Sequence, residues 1–147
     1  MSQVSATVPV IPLHPGKNDQ PLSFAQERLW FLDALGAGGS YNIPIALKLT
    51  GRVELTALRE ALNGVIARHD ALRMAFPAPE GQPRVTVARS QPLQLTIVDI
   101  DPGAALQSAT AAVAEPFDLA QGQLVRANLF CLGADRHWLV ISIHHIV

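Results

Sequence analysis

Apolar positions recur along this chain with two periods, near 3.6 and near 2, and the switches between them mark its elements. After Ser23, the residues Ala25, Leu29, Leu32 and Leu35 return at helical spacing. Ser23 and Gln26 stand at the spacing of a capping box, and the run Gly36-Ala37-Gly38-Gly39-Ser40 ends the segment. Ile43 to Leu49 reads as a strand, with Pro44 near its start where a missing ladder donor is tolerated; Gly51 then turns the chain. A second helix is predicted from Leu55 to His69, its apolar stripe formed by Leu58, Ala61, Leu62, Val65 and Ile66. Gly64 costs that helix about 1 kcal/mol relative to alanine, too little to overturn so regular a pattern. Leu72 to Phe76 and Arg84 to Ala88 read as short strands around the turn-rich stretch from Pro77 to Pro83.

Leu93 to Val98 alternates as a further strand. Asp101 is placed to cap a third helix, with Pro102 at its first position, and that helix runs to about Ala114 before Glu115-Pro116. Gln123 to Leu132 and Arg136 to Ile143 form two last strands joined by Gly133-Ala134-Asp135 as a hairpin. This order predicts a two-layer α/β (α+β) domain. Met1 to Gln20, with Pro9, Pro12 and Pro15 and no sustained period, reads as a leader or linker, leaving residues 21–147 as the folded unit.

Composition narrows the function classes. Of 147 residues, 49% are hydrophobic and 16% charged, which excludes a disordered chain. A chain of this length buries roughly two thirds of its unfolded surface. The net charge of −1, with no basic cluster, gives no reason to expect nucleic acid. No apolar run reaches membrane-spanning length, the N-terminus lacks the pattern of a secretory signal, and the lone Cys131 makes no internal disulfide. The expected location is cytoplasmic.

Chemistry concentrates at the end of the last strand, in Ile143-His144-His145-Ile146-Val147. If the strand continues, His145 shares a face with Leu139, Ile141 and Ile143, and His144 with Trp138, Val140 and Ser142. Rings on opposite faces do not converge on one ion, so no metal site is expected. Two readings stay open: a structural pair at a strand end, or one histidine poised as a general base, since imidazole titrates near neutral pH. Cys131, mid-strand among apolar residues, is expected to be a buried inert thiol rather than a nucleophile.

Five blocks then carry a family resemblance. Ser23-Phe24-Ala25-Gln26-Glu27-Arg28-Leu29-Trp30-Phe31-Leu32 resembles the first signature of nonribosomal peptide synthetase condensation domains, S-x-A-Q-x-R-L-W-x-L. Arg68-His69-Asp70-Ala71-Leu72-Arg73-Met74-Ala75-Phe76 is similar to the second, R-H-E-x-L-R-T-x-F, with Asp70 and Met74 departing from it. His144-His145-Ile146-Val147 opens the third, H-H-x-x-x-D-G, whose Asp and Gly have no counterpart in this sequence. Ser40-Tyr41-Asn42-Ile43-Pro44 and Pro116-Phe117-Asp118-Leu119 resemble further blocks of the family.

The resemblance implies the N-terminal lobe of a chloramphenicol acetyltransferase-like fold, truncated at the active-site strand, with the second, C-terminal lobe missing and the fragment inactive alone. It implies amide-bond formation between a thioester donor and an aminoacyl acceptor, each on the phosphopantetheine arm of a peptidyl carrier protein, beside an adenylation domain. No cofactor is bound directly. His145 takes the role of general base or amine-positioning group, and His144 supports it. Arg68, then Arg73, is the expected partner of the absent signature aspartate. Trp30 and Phe31 are expected in the core. The paired histidines disfavour a heterocyclisation type. An epimerisation domain, a carrier-docking lobe without chemistry and a coenzyme A-dependent acyltransferase of the same fold remain alternatives.

Overall fold

The long alternating runs near the C-terminus form the centre of the structure, a computed structural model that describes residues 19–89 and 91–147. Strand β6 (Arg136–His144) lies between β1 (Asn42–Thr50) and β5 (Val125–Cys131), antiparallel to both, and β4 (Leu95–Asp99) runs parallel to β5 at the other edge. A minimal pair, β2 (Met74–Ala75) with β3 (Thr86–Val87), forms a separate two-stranded ribbon.

Helix α2 (Leu55–Arg68) sets Leu55, Leu58 and Leu62 against Leu95, Ala127, Leu129 and Leu139 on one face of the sheet. Helix α3 (Ala105–Ala114) sets Ala109, Ala112 and Val113 against Phe130, Val140 and Trp138 on the other. The mixed α/β class is as expected, but the sheet carries a helix on each face, one layer more than two. The parallel step from β4 to β5 is the reason, because it needs a crossover and α3 supplies it.

One helix, about 10 Å across, covers about two strands spaced near 4.8 Å. Helix α2 therefore leaves edge strand β1 bare, with Ile43, Ile45 and Leu47 each at least 41% exposed.

Helix α1 (Phe24–Leu32) starts in the expected capping box: the Ser23 backbone N–H donates to Gln26 Oε1 at 3.0 Å and the Gln26 N–H to Ser23 Oγ at 3.3 Å. Beyond Leu32 the chain continues as a wider π turn through Asp33–Ala37, with Gly36 in the left-handed region at φ 89°. That widening turns Leu35 out to solvent. Trp30 packs on the core as expected, whereas Phe31 is 58% exposed, because a single-sided helix cannot bury two neighbouring positions equally.

Other boundaries move for local reasons. Asp101 closes a turn through its Oδ1 to the Gly103 N–H at 2.7 Å, and the helix begins only at Ala105. Leu72 and Arg73 lie in a 3-10 turn, so β2 keeps two of the five residues expected between Leu72 and Phe76. The expected leader lies mostly outside the described residues; its last residue, Gln20, is bridged to Val85.

Candidate active site

The histidine turn is assembled from segments far apart in sequence. β6 ends at His144, whose backbone N–H donates to the Leu124 carbonyl at 3.0 Å. The His145 N–H donates to the Tyr41 carbonyl at 2.9 Å, just before β1 begins. Gln26 spans the remaining gap. While its Oε1 closes the cap of α1, its Nε2 donates to the Ile146 carbonyl at 3.4 Å. Ile146 is itself buried with Leu22, Phe76, Val85, Phe117, Leu119 and Leu124.

Asn42, paired across the ladder with His144, donates both Nδ2 hydrogens, to the Val113 carbonyl at 2.7 Å and the Glu115 carbonyl at 2.8 Å. It thereby ties the end of α3 to the start of β1. Asp118 folds the 118–121 turn through Oδ1, which accepts from the Ala120 and Gln121 N–H groups at 2.9 and 3.2 Å. All five motif blocks thus meet within one core cluster and the turn beside it.

The two histidines have separate fates. His144 is fully buried, shares a face with buried Ser142 and Val140, and meets the Phe117 ring edge-on with 6.3 Å between centroids. Its Nδ1 accepts from the Ile146 N–H at 3.3 Å, which assigns the proton of the neutral ring to Nε2. Nε2 has no hydrogen-bond partner among the described residues. Burial holds the His144 imidazole below its ordinary pKa; the Asp33 carboxylate pulls the other way and His145 adds to the depression. Asp33 is itself raised above the usual carboxylate value, chiefly by burial. His145 lies past the strand end and is exposed, placed by the turn rather than by strand alternation.

The buried ring carries a pH signature. Above the unfolded imidazole value of 6.5 both states are neutral and the contribution of His144 is fully present. Below it the unfolded chain takes up the proton first, so stability falls with pH down through the lowered folded value. His144→Asn keeps an acceptor for the Ile146 N–H but cannot titrate. Its Tm is expected to change less than that of the native protein between about pH 7 and 5. Equal slopes in thermal melts would remove His144 as the source.

Of the two expected arginines, Arg73 is already engaged. Its Nη2 pairs with Asp70 Oδ1 and its Nη1 donates to the Ala88 carbonyl at 2.6 Å. Arg68, in the last turn of α2, is exposed and makes no side-chain ion pair or hydrogen bond among the described residues. Cys131 is half-buried, and burial together with neighbouring Asp99 pushes its thiol up, away from the thiolate a nucleophile needs. Among the described residues no group of three or more His, Cys, Asp or Glu side chains is placed to hold a metal ion. No described helix is long and apolar enough to cross a membrane.

Periodicity alone missed Asp33, Tyr41, Asn42 and Phe117, since none of them repeats at a helix or strand interval. Three of the four stand inside the quoted blocks, which was the available signal.

A family model described as "Condensation domain" matches residues 17–147. Phosphinothricin tripeptide synthetase PhsC of Streptomyces viridochromogenes is 41% identical over 150 residues, covering 95% of this chain and 14% of that protein. The X-domain from teicoplanin biosynthesis superposes with a TM-score of 0.82 at 28% identity, over 93% of this chain and 29% of the other. The starter condensation domain of rhizomide synthetase superposes with a TM-score of 0.76 at 27% identity, over 86% of this chain and 32% of the other. The chain therefore spans only 2–14% of the length of curated synthetases it matches. With its motif blocks gathered at one turn and the family match running through nearly all of its length, this chain belongs to the condensation domain family.

Proposed function

We propose that this chain supplies the histidine side of a peptide-bond-forming site in a nonribosomal peptide synthetase. The observation that carries the reading is the division of labour at the turn: a buried, neutral His144 braces it, and an exposed His145 is presented at its tip. In the reaction, the α-amine of an aminoacyl group attacks the carbonyl carbon of an acyl or peptidyl thioester. The C–N bond forms, the C–S bond breaks, and the departing thiol receives the proton lost by the amine. A neutral imidazole at His145 is suited to take that proton or to hold the amine in line.

Both substrates would arrive on phosphopantetheine arms of donor and acceptor peptidyl carrier proteins, with an adenylation domain of the same synthetase supplying the activated amino acid. Arg68, which has no ion pair among the described residues, is the arginine left available to meet the aspartate of a complete H-H-x-x-x-D-G loop. The bare apolar edge formed by Ile43, Ile45 and Leu47 supports the reading that further parts of the domain pack on this lobe.

The test uses the complete synthetase that contains these residues. With both carriers loaded, His145→Ala is expected to lower amide product by about a hundredfold or more, the usual scale of a lost general base. Carrier loading should be unchanged. Product formation at the native rate would sink the assignment.

A further inference from the structure

The apolar face left bare on β1 is one side of a trough. Ile43, Ile45 and Leu47 are exposed there, and across the ladder Ile43 and Ile45 adjoin Ile143 and Ile141 of β6. The opposite wall is a flank of α2. Asn63 Oδ1 accepts from the Leu93 N–H at 2.6 Å, which turns the Asn63 side of the helix toward β4. With 3.6 residues per turn, Ala61 and Val65 lie on the other side, toward β1, and both are exposed.

The edge of β1 is a poor template for a further strand. The Tyr41 carbonyl accepts from the His145 N–H, and the Gly51 N–H donates to the Asp135 carbonyl, both at 2.9 Å. Odd-numbered residues of β1 therefore bond toward β6, and even-numbered ones face outward. Pro44 is one of the outward residues and has no N–H to give to a ladder. A helix laid on the face needs no such donor. Alternate residues of a strand stand about 6.6 Å apart, close to the rise of about 6 Å between helix positions i and i+4.

Charge narrows the occupant. Arg68 follows Val65 by three residues on the same flank, exposed and without an ion pair among the described residues. Length outside this chain is ample, since it covers only 29% of the teicoplanin X-domain and 32% of the rhizomide starter domain.

From this juxtaposition we infer that the trough between β1 and α2 seats an amphipathic helix from the part of the condensation domain beyond this chain. Its large apolar side chains lie toward Ile45 and Val65, and a carboxylate at its end meets Arg68, where the signature aspartate is proposed above. The inference rests on the reading that this chain is one piece of such a domain. It does not depend on what His145 does in catalysis.

The experiment is N-ethylmaleimide labelling of the complete synthetase, read by mass spectrometry of the peptide that carries the introduced thiol. Ile45→Cys is expected to react about tenfold or more slowly than Leu106→Cys, an exposed position on α3 away from the trough. Leu47→Cys supplies the same reading if the Ile45 variant fails to fold. Arg68→Glu is expected to speed labelling of Ile45→Cys about threefold, the scale of one exposed ion pair, and Arg68→Lys to leave it unchanged. Equal rates at residues 45 and 106 would overturn the inference. So would protection that fades on dilution, which assigns the trough to a second copy. Labelling needs no turnover, so its failure is read separately from the amide yield of His145→Ala.

Discussion

Gly39→Ala is expected to destabilise this lobe by about 3 kcal/mol, or about 10 °C in Tm, the upper range for forcing extra volume into a packed site. A Cβ at Gly39 would lie 2.0 Å from the Ala114 carbonyl oxygen and 2.7 Å from its carbonyl carbon. Those are backbone atoms at the end of α3, already held by Asn42, so no side-chain rotation relieves the clash. The strain would propagate two residues on, to the Tyr41 carbonyl that receives the His145 N–H. Gly36 is the internal comparison. It has open space around it but a φ of 89°, so alanine there meets only a conformational penalty of about 1 kcal/mol. Urea unfolding of both variants, followed by tryptophan fluorescence, checks the order. A Gly39→Ala change smaller than that of Gly36→Ala would contradict the close approach.

Phe117→Ala is the second large effect, expected at about 3–5 kcal/mol for an emptied aromatic site. Phe117 is 7% exposed, and it touches His144 edge-on while carrying Arg126 on its face. Phe117→Leu restores most of the apolar volume and loses only the ring contacts, so it should cost about 1–2 kcal/mol. The alanine variant has a further consequence. Opening the space beside His144 lets water reach the ring, and burial is the main cause of its lowered pKa. The loss of stability below pH 6.5 should therefore be shallower in Phe117→Ala than in the native protein. Thermal melts across that interval report both quantities; an unchanged slope would show that Phe117 does not shield the imidazole.

Much of the architecture was legible in the sequence because helices and strands are local periodicities. The capping box at Ser23, the stripe Leu58, Leu62 and Ile66, and the two last strands all follow from spacing, and each is found where spacing puts it. Failures occurred where a neighbour in space outweighed local preference. Asp101 and Pro102 have the composition of a helix start, yet the Gly103 N–H takes the aspartate into a turn and the helix begins later. Phe31 has the composition of a core residue, yet it is 58% exposed, with no other element among the described residues covering its side of α1.

For the candidate site, residue identities came from the sequence and their placement from the tertiary structure. The adjacent histidines, the arginines and the five motif blocks can be read off as text, and so can the family they resemble. That Gln26 caps a helix and also holds the turn after His145 cannot, because its partner Ile146 is 120 residues away. Nor does spacing say that Arg73, in the 3-10 turn after α2, is already paired while Arg68, in the last turn of α2, has no ion pair among the described residues. The alternation of a strand gave His144 and His145 opposite sides. Their division into a buried ring and an exposed one depended on Leu124 and Phe117 closing around His144, contacts whose sequence separation puts them beyond any local pattern.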